Sequence, residues 1–100
     1  MTNTELNELK SICGEIEKAA KEIAKLRKSK RKYVFTLKEK EASLDKKKGE
    51  ALKFIQEIDN VGIRQILTLK YIHLRSWDYI AREMHFDRST LQKRLKKFFN

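Results

Sequence analysis

The chain has no proline, three glycines and one cysteine among its 100 residues. No proline is therefore present to kink a helix or to force a turn. The single cysteine, Cys13, excludes an internal disulfide, and the two histidines, His73 and His85, do not have the spacing of a zinc site. We expect Cys13 to be a small apolar residue on a helix.

Long apolar runs and catalytic motifs are also missing. No run approaches the roughly 20 apolar residues that span a bilayer, and the N-terminal "MTNTELNELK" lacks the apolar core of a signal peptide. We therefore predict a cytoplasmic protein without a membrane partner. No nucleophile–base pair, catalytic carboxylate pair or phosphate-binding glycine loop stands out. We predict no enzyme activity, no cofactor and no metal.

Charge is what the chain has in abundance. Charged residues make up 38% of it, and the formal net charge is +10. This composition favours exposed helices over a large sheet, and the positive excess favours a nucleic acid, an acidic protein or an anionic membrane surface as partner. Lys and Arg outnumber Asp and Glu more strongly after residue 60 than before it.

Residues 1–58 have the pattern of a helical coiled-coil arm. Thr2 and Glu5 have capping-box spacing, and an apolar seam follows at heptad intervals. The seam consists of Leu9, Ile12, Ile16, Ala19, Ile23 and Leu26. A break around 29–35 and a second helix from Thr36 would make the arm a helical hairpin. One unbroken helix from about residue 4 to 58 is the alternative.

The arm leaves two further questions open. Its seam could form a homodimer that places two recognition helices about one helical turn of DNA apart, or it could pack within one chain. We favour the dimer, because the seam would otherwise be half exposed. The cationic segment 25–32 is interpreted as a solvated tip of the arm, with flanking phosphates or an acidic protein as alternative partners.

Residues 59–100 predict a module of three helices. Asp59 or Asn60 can cap "VGIRQILTLKYIHL", which is apolar on several sides and hence central. Ser76 can cap the next helix, whose buried stripe consists of Trp77, Ile80, Ala81 and Met84. After the turn at His85, we expect Phe86 to plug the core and Asp87 to cap the last helix. The small, turn and anchor positions of a helix-turn-helix correspond to Ala81, Phe86 and Leu91.

The last helix separates apolar from cationic side chains. On a wheel of about 100° per residue, Leu95, Phe98 and Phe99 lie within about 80° of Leu91. The other side can enter the major groove, with its first residues at base edges and later lysines at phosphates. The predicted DNA-binding residues are Arg88, Ser89, Thr90, Gln92, Lys93, Lys96 and Lys97.

The segment "RQILTLKYIHLRSWDYIAREMHFDRSTLQKRLKKF" resembles region four of bacterial sigma factors. The chain as a whole resembles the small phage-encoded regulators of Gram-positive bacteria that place a helical coiled-coil arm before such a module. The specific likeness covers about residues 63–98, and Tyr79 stands where region four usually has an acidic residue. Histidine also replaces the glycine that is usual at the first turn position.

This resemblance implies an all-α protein that binds double-stranded DNA and regulates phage or mobile-element late genes in a bacterial host cell. By position, it implies base contacts from Arg88, Ser89, Gln92 and Lys93, with Thr90 and Lys96 nearer the backbone. The alternative function is an adaptor that binds RNA polymerase or another regulator through the arm or the sigma-like module.

Overall fold

The computed structural model describes residues 1–28 and 34–100. Over these residues the regular elements are all helical, which confirms the predicted all-α class. The helices are α1 (Asn3–Lys28), α2 (Val34–Ile55), α3 (Val61–Leu67), α4 (Trp77–Met84) and α5 (Arg88–Phe99), and a π-helical segment, Thr68–Ile72, directly continues α3.

The predicted capping box begins α1. The Thr2 amide donates to Glu5 Oε1 at 3.2 Å, and the Glu5 amide donates to Thr2 Oγ1 at 3.1 Å. These bonds lower the pKa of the Glu5 carboxyl, the backbone bond most. Because two of the unpaired amides at the start of the helix find a carboxylate or hydroxyl oxygen, α1 starts where the sequence predicts.

Helices α1 and α2 pack against each other in opposite directions. Lys40 donates to Glu22 at 2.7 Å and Arg27 to Glu41 at 2.8 Å, so the end of α1 lies beside the start of α2. At the other end, the Glu57 carboxyl, just after α2, lies near the Glu5 carboxyl of α1. A single helix would separate Glu22 from Lys40 by about 27 Å, so these contacts agree with the hairpin interpretation.

The predicted start of the second helix is wrong by two residues, because α2 begins at Val34 and not at Thr36. Gly49 lies within α2. The predicted break at 29–35 and the cationic segment 25–32 lie partly outside the described residues.

The seam of the arm packs within the single chain at three of its six positions, Leu9, Ile16 and Ile23. Leu9 and Ile16 are fully buried, Cys13 is 2% exposed, and Ile23 is 4% exposed. They belong to one hydrophobic cluster that also contains Leu44, Ala51, Ile55, Ile58, Ile63, Ile66, Leu67, Tyr71, Ile80, Leu91 and Leu95. Ile12, Ala19 and Leu26 of the seam are half-buried, so packing within the chain covers much of the seam, and the homodimer stays a prediction.

The helix of residues 61–72 changes its winding midway. The Asn60 side chain accepts from the Ile63 amide at 3.0 Å and so caps α3, as expected for one of the two candidate caps. At the other end the His73 amide donates to the Thr68 carbonyl, five residues back, at 3.0 Å. This helix is apolar on several sides as predicted: Ile66 and Leu67 are fully buried, and Tyr71 is 8% exposed.

Candidate nucleic-acid interface

Helix α4 is capped and buried on one side. The Ser76 hydroxyl accepts from the Tyr79 amide at 3.2 Å, which confirms Ser76 as the N-cap. Ile80 is fully buried, and Trp77, Ala81 and Met84 are half-buried around it. The predicted stripe therefore holds α4 against the core.

The turn after α4 needs a left-handed residue, and His85 occupies that position. Its φ is 59° and its ψ is 39°, and the Phe86 amide donates to the Ala81 carbonyl at 3.1 Å. Such a helix end satisfies late carbonyl groups and usually employs glycine. Histidine thus adopts the left-handed conformation that glycine usually supplies at this turn position.

The expectation that Phe86 plugs the core is wrong. Phe86 is 40% exposed, and the Arg94 guanidinium carbon lies 4.3 Å from its ring centroid. Ile80 and Leu91 are each fully buried and occupy the core between α4 and α5. With that space filled, the Phe86 ring remains at the surface, where a cation covers one of its faces.

Helix α5 is held by its predicted apolar side. Leu91 is fully buried, Leu95 is 6% exposed, and the half-buried rings of Phe98 and Phe99 meet edge to face with centroids 5.3 Å apart. Asp87 takes the N-cap position, but its side chain makes no capping hydrogen bond. The N-cap position is thus as predicted, whereas the stabilising contact is missing.

The other side of α5 faces outward. Ser89, Gln92 and Lys93 are exposed, and none of the three makes a side-chain hydrogen bond or ion pair with the described part of the chain. Lys96 and Lys97 are also exposed, and Thr90 is half-buried. This surface combines a hydroxyl, an amide and ammonium groups that are free to meet a ligand.

Arg88 differs from its neighbours because it has an internal partner. Its Nη1 donates to Asp78 Oδ1 in α4 at 3.3 Å, and the two side chains are 55% and 71% exposed. An exposed pair of this kind contributes about 0–1 kcal/mol. The contact with Asp78 therefore holds the Arg88 side chain only weakly.

Three cations that the sequence interpretation did not select lie on aromatic rings in the structure. Lys70 Nζ lies 5.1 Å from the centroid of Trp77, and the Arg75 guanidinium carbon lies 4.9 Å from that of Tyr79. Arg94 covers Phe86. The spacing of four residues between Arg75 and Tyr79 could have predicted their contact. A helical wheel does not show it, because Arg75 lies before the start of α4.

Cys13 behaves as the predicted small apolar residue. Burial, and secondly the charge of Glu17, raise the pKa of its thiol to about 12. Burial likewise raises the pKa of the Tyr71 hydroxyl, with Glu17 as a further cause. Within residues 1–28 and 34–100, His, Cys, Asp and Glu side chains form no group of three that could hold a metal ion.

Comparisons with known proteins find nothing: no family model, curated protein or solved structure matches the chain. In the described ranges, no helix combines the length and apolar character needed to cross a bilayer.

Proposed function

We propose that the protein is a sequence-specific DNA-binding transcription regulator that inserts α5 into the major groove. One observation carries the proposal: Leu91 and Leu95 anchor α5 in the core while Ser89, Gln92 and Lys93 face solvent without internal partners in the described part of the chain. An anchored helix presents its outer side chains in a defined arrangement, as base recognition requires.

The chemistry of this face fits a duplex. Gln92 carries an amide that can pair with adenine N6 and N7, and Lys93 or Arg88 can donate to guanine O6 and N7. Lys96 and Lys97, further along the helix, are suited to bind phosphates, which fix orientation without reading sequence. The net charge of +10 supports the same partner.

The proposal extends to the biological setting. The likeness of residues 63–98 to sigma region four supports a small sigma-like regulator of phage or mobile-element genes, with a helix-turn-helix formed by α4 and α5. The left-handed His85 between these helices is compatible with that motif.

Binding is tested first by selection from a random-sequence duplex library, followed by titration of the selected and a scrambled duplex at several salt concentrations. With about six phosphate contacts, affinity should fall by about 10³ between 50 and 200 mM salt. The selected duplex should bind far more tightly than the scrambled one. Failure of the library to converge on any sequence would contradict the proposal.

The role of α5 is tested by Lys93→Ala and Arg88→Ala. Each should weaken binding to the selected duplex by about 1–3 kcal/mol and reduce the preference over scrambled DNA. Lys38→Ala is the matched control, because Lys38 is exposed near the start of α2 and carries the same charge. Equal losses of affinity in Lys93→Ala and Lys38→Ala would show that only net charge matters.

A pull-down with RNA polymerase, repeated after nuclease treatment, separates this proposal from the adaptor alternative. If the protein acts through DNA, nuclease releases it. Retention of the complex without DNA, together with no sequence preference in the selection, would favour the adaptor.

A further inference from the structure

A second group of cations lies where the arm meets the rest of the chain. A surface depression of about 290 Å³ lies between α1 and residues 70–75, where the π-helical segment ends and the loop to α4 begins. Its lining includes Lys21, Lys70 and Arg75, together with one carboxylate, Glu17. Three cations against one acid leave this depression positively charged.

Two of these cations are held in place by aromatic rings. Lys70 lies over Trp77, and Arg75 lies over Tyr79. Both aromatic residues are half-buried at the start of α4. The backbone also directs Arg75, because Leu74 has a φ of 51° and the Arg75 amide donates to the Leu69 carbonyl at 2.9 Å. Cations fixed in this way lose less side-chain entropy on binding an anion than free ones.

The depression is next to the helix-turn-helix. Arg75 directly precedes Ser76, the N-cap of α4, and Asp78 in the first turn of α4 contacts Arg88 at the start of α5 at 3.3 Å. Arg75 in the depression and Arg88 at the start of α5 therefore lie on either side of the first turn of α4, with Asp78, the partner of Arg88, between them. Glu17, the one acid in the depression, interacts with the Tyr71 hydroxyl.

We propose that this cluster, Lys21 with Lys70 and Arg75, binds backbone phosphates of the duplex beside the bases that α5 reads. The arm thereby becomes part of the DNA-binding surface through Lys21 of α1. This inference rests on the proposed function and adds a contact that carries no sequence information, since Lys and Arg bind phosphates of any sequence.

The test compares the salt dependence of binding for the full chain and for the triple variant Lys21→Ala/Lys70→Ala/Arg75→Ala. The slope of log affinity against log salt should become shallower by about 0.9 for each phosphate that is no longer neutralised, hence by about 2–3 in total. The ratio of affinities for selected and scrambled duplexes should stay the same within about twofold.

The matched control is Lys18→Ala/Lys38→Ala/Lys46→Ala, which removes the same charge from three arm positions outside the depression. Lys18 is on the same helix as Lys21 but lies near Glu22, whose carboxyl pairs with Lys40 of α2. We expect the control to change the slope by less than about 0.5, because these three lysines bind no phosphate.

Equal slopes for the triple variant and the control would overturn the inference while leaving the proposed function intact. A reduced sequence preference in the triple variant, with α5 unchanged, would also overturn it. If the wild-type chain bound no DNA, the proposed function would fail first.

Loss of the contacts of Lys70 and Arg75 with their aromatic rings could unfold the triple variant. The single variant Lys21→Glu therefore provides an independent test of the phosphate contact. Lys21 is exposed and lies on no aromatic ring of the described chain. Its charge reversal should make the slope shallower by at least about 0.9, with Lys18→Glu as control. An unchanged slope for Lys21→Glu would contradict the contribution of the arm.

Discussion

His85 holds a conformation that suits glycine better, and this strain is measurable. At a φ of 59° a side chain with a Cβ costs about 1 kcal/mol, so His85→Gly should raise the free energy of unfolding by about that amount. Gly49 is the opposite case, a glycine inside a helix. Gly49→Ala should also raise the free energy of unfolding by about 1 kcal/mol, because a Cβ at this position meets nothing within 4 Å and alanine favours the helix. Urea unfolding measures both, and destabilisation by His85→Gly would argue against the strain.

Cys13 should be chemically silent in the folded protein. Since burial raises its thiol pKa to about 12, almost no thiolate exists at pH values near neutrality, and thiol reagents should react only after denaturation. Reaction of the native protein at the rate of a free thiol would contradict this burial.

The same shift predicts a pH dependence of stability. An unfolded thiol ionises at about pH 8.5, so the contribution of Cys13 is complete below that pH and is lost as pH rises toward about 12. Cys13→Ala should flatten the fall in unfolding free energy over this range. Tyr71, with its raised pKa, should retain part of the slope. An unchanged pH profile in Cys13→Ala would contradict the assignment.

At the scale of single residues, sequence reasoning works where one local interaction decides the outcome. The Thr2 and Ser76 caps need only a hydroxyl and an amide three residues apart, so both could be predicted. The burial of Phe86, in contrast, depends on whether other side chains already fill the core. Only the structure shows that Ile80 and Leu91 fill it.

At the scale of helices, the caps of α4 and α5 should differ in strength. Ser76 accepts a hydrogen bond from its helix, whereas the Asp87 side chain makes none. Ser76→Ala should therefore cost about 1 kcal/mol of unfolding free energy. Asp87→Ala should cost only the smaller helix-dipole contribution, about 0.3–1 kcal/mol. Thermal unfolding of both variants measures the difference, and a larger destabilisation by Asp87→Ala would reverse the assignment.

The helical periodicity was the most informative sequence signal. It predicted the buried sides of α1, α4 and α5, since 3.6 residues per turn leave few alternatives for a repeated apolar stripe. It could not predict the π-helical winding at 68–72 or the ring contacts of Lys70 and Arg75, because these depend on how α3 and α4 meet. The outward side of α5 was predictable for the same reason as its buried side.

At the scale of the whole molecule, the arm and the three following helices share one core. Leu9, Cys13 and Ile16 of α1 belong to the same cluster as Tyr71, Leu91 and their neighbours. A fragment of residues 59–100 would expose its side of that cluster, and a chain of about 40 residues rarely folds alone. Its circular dichroism should show much less helix per residue than the full chain. A fully helical, cooperatively melting fragment would contradict this dependence.

The central claim is that the outward side of α5 lies against a duplex. Amide chemical shifts of the labelled full chain, followed during titration with the selected duplex, test it directly. The largest changes should fall on Ser89, Gln92 and Lys93, with smaller ones near Lys21 and Arg75. A bound duplex that leaves the α5 amides unshifted and perturbs only α2 would contradict the claim.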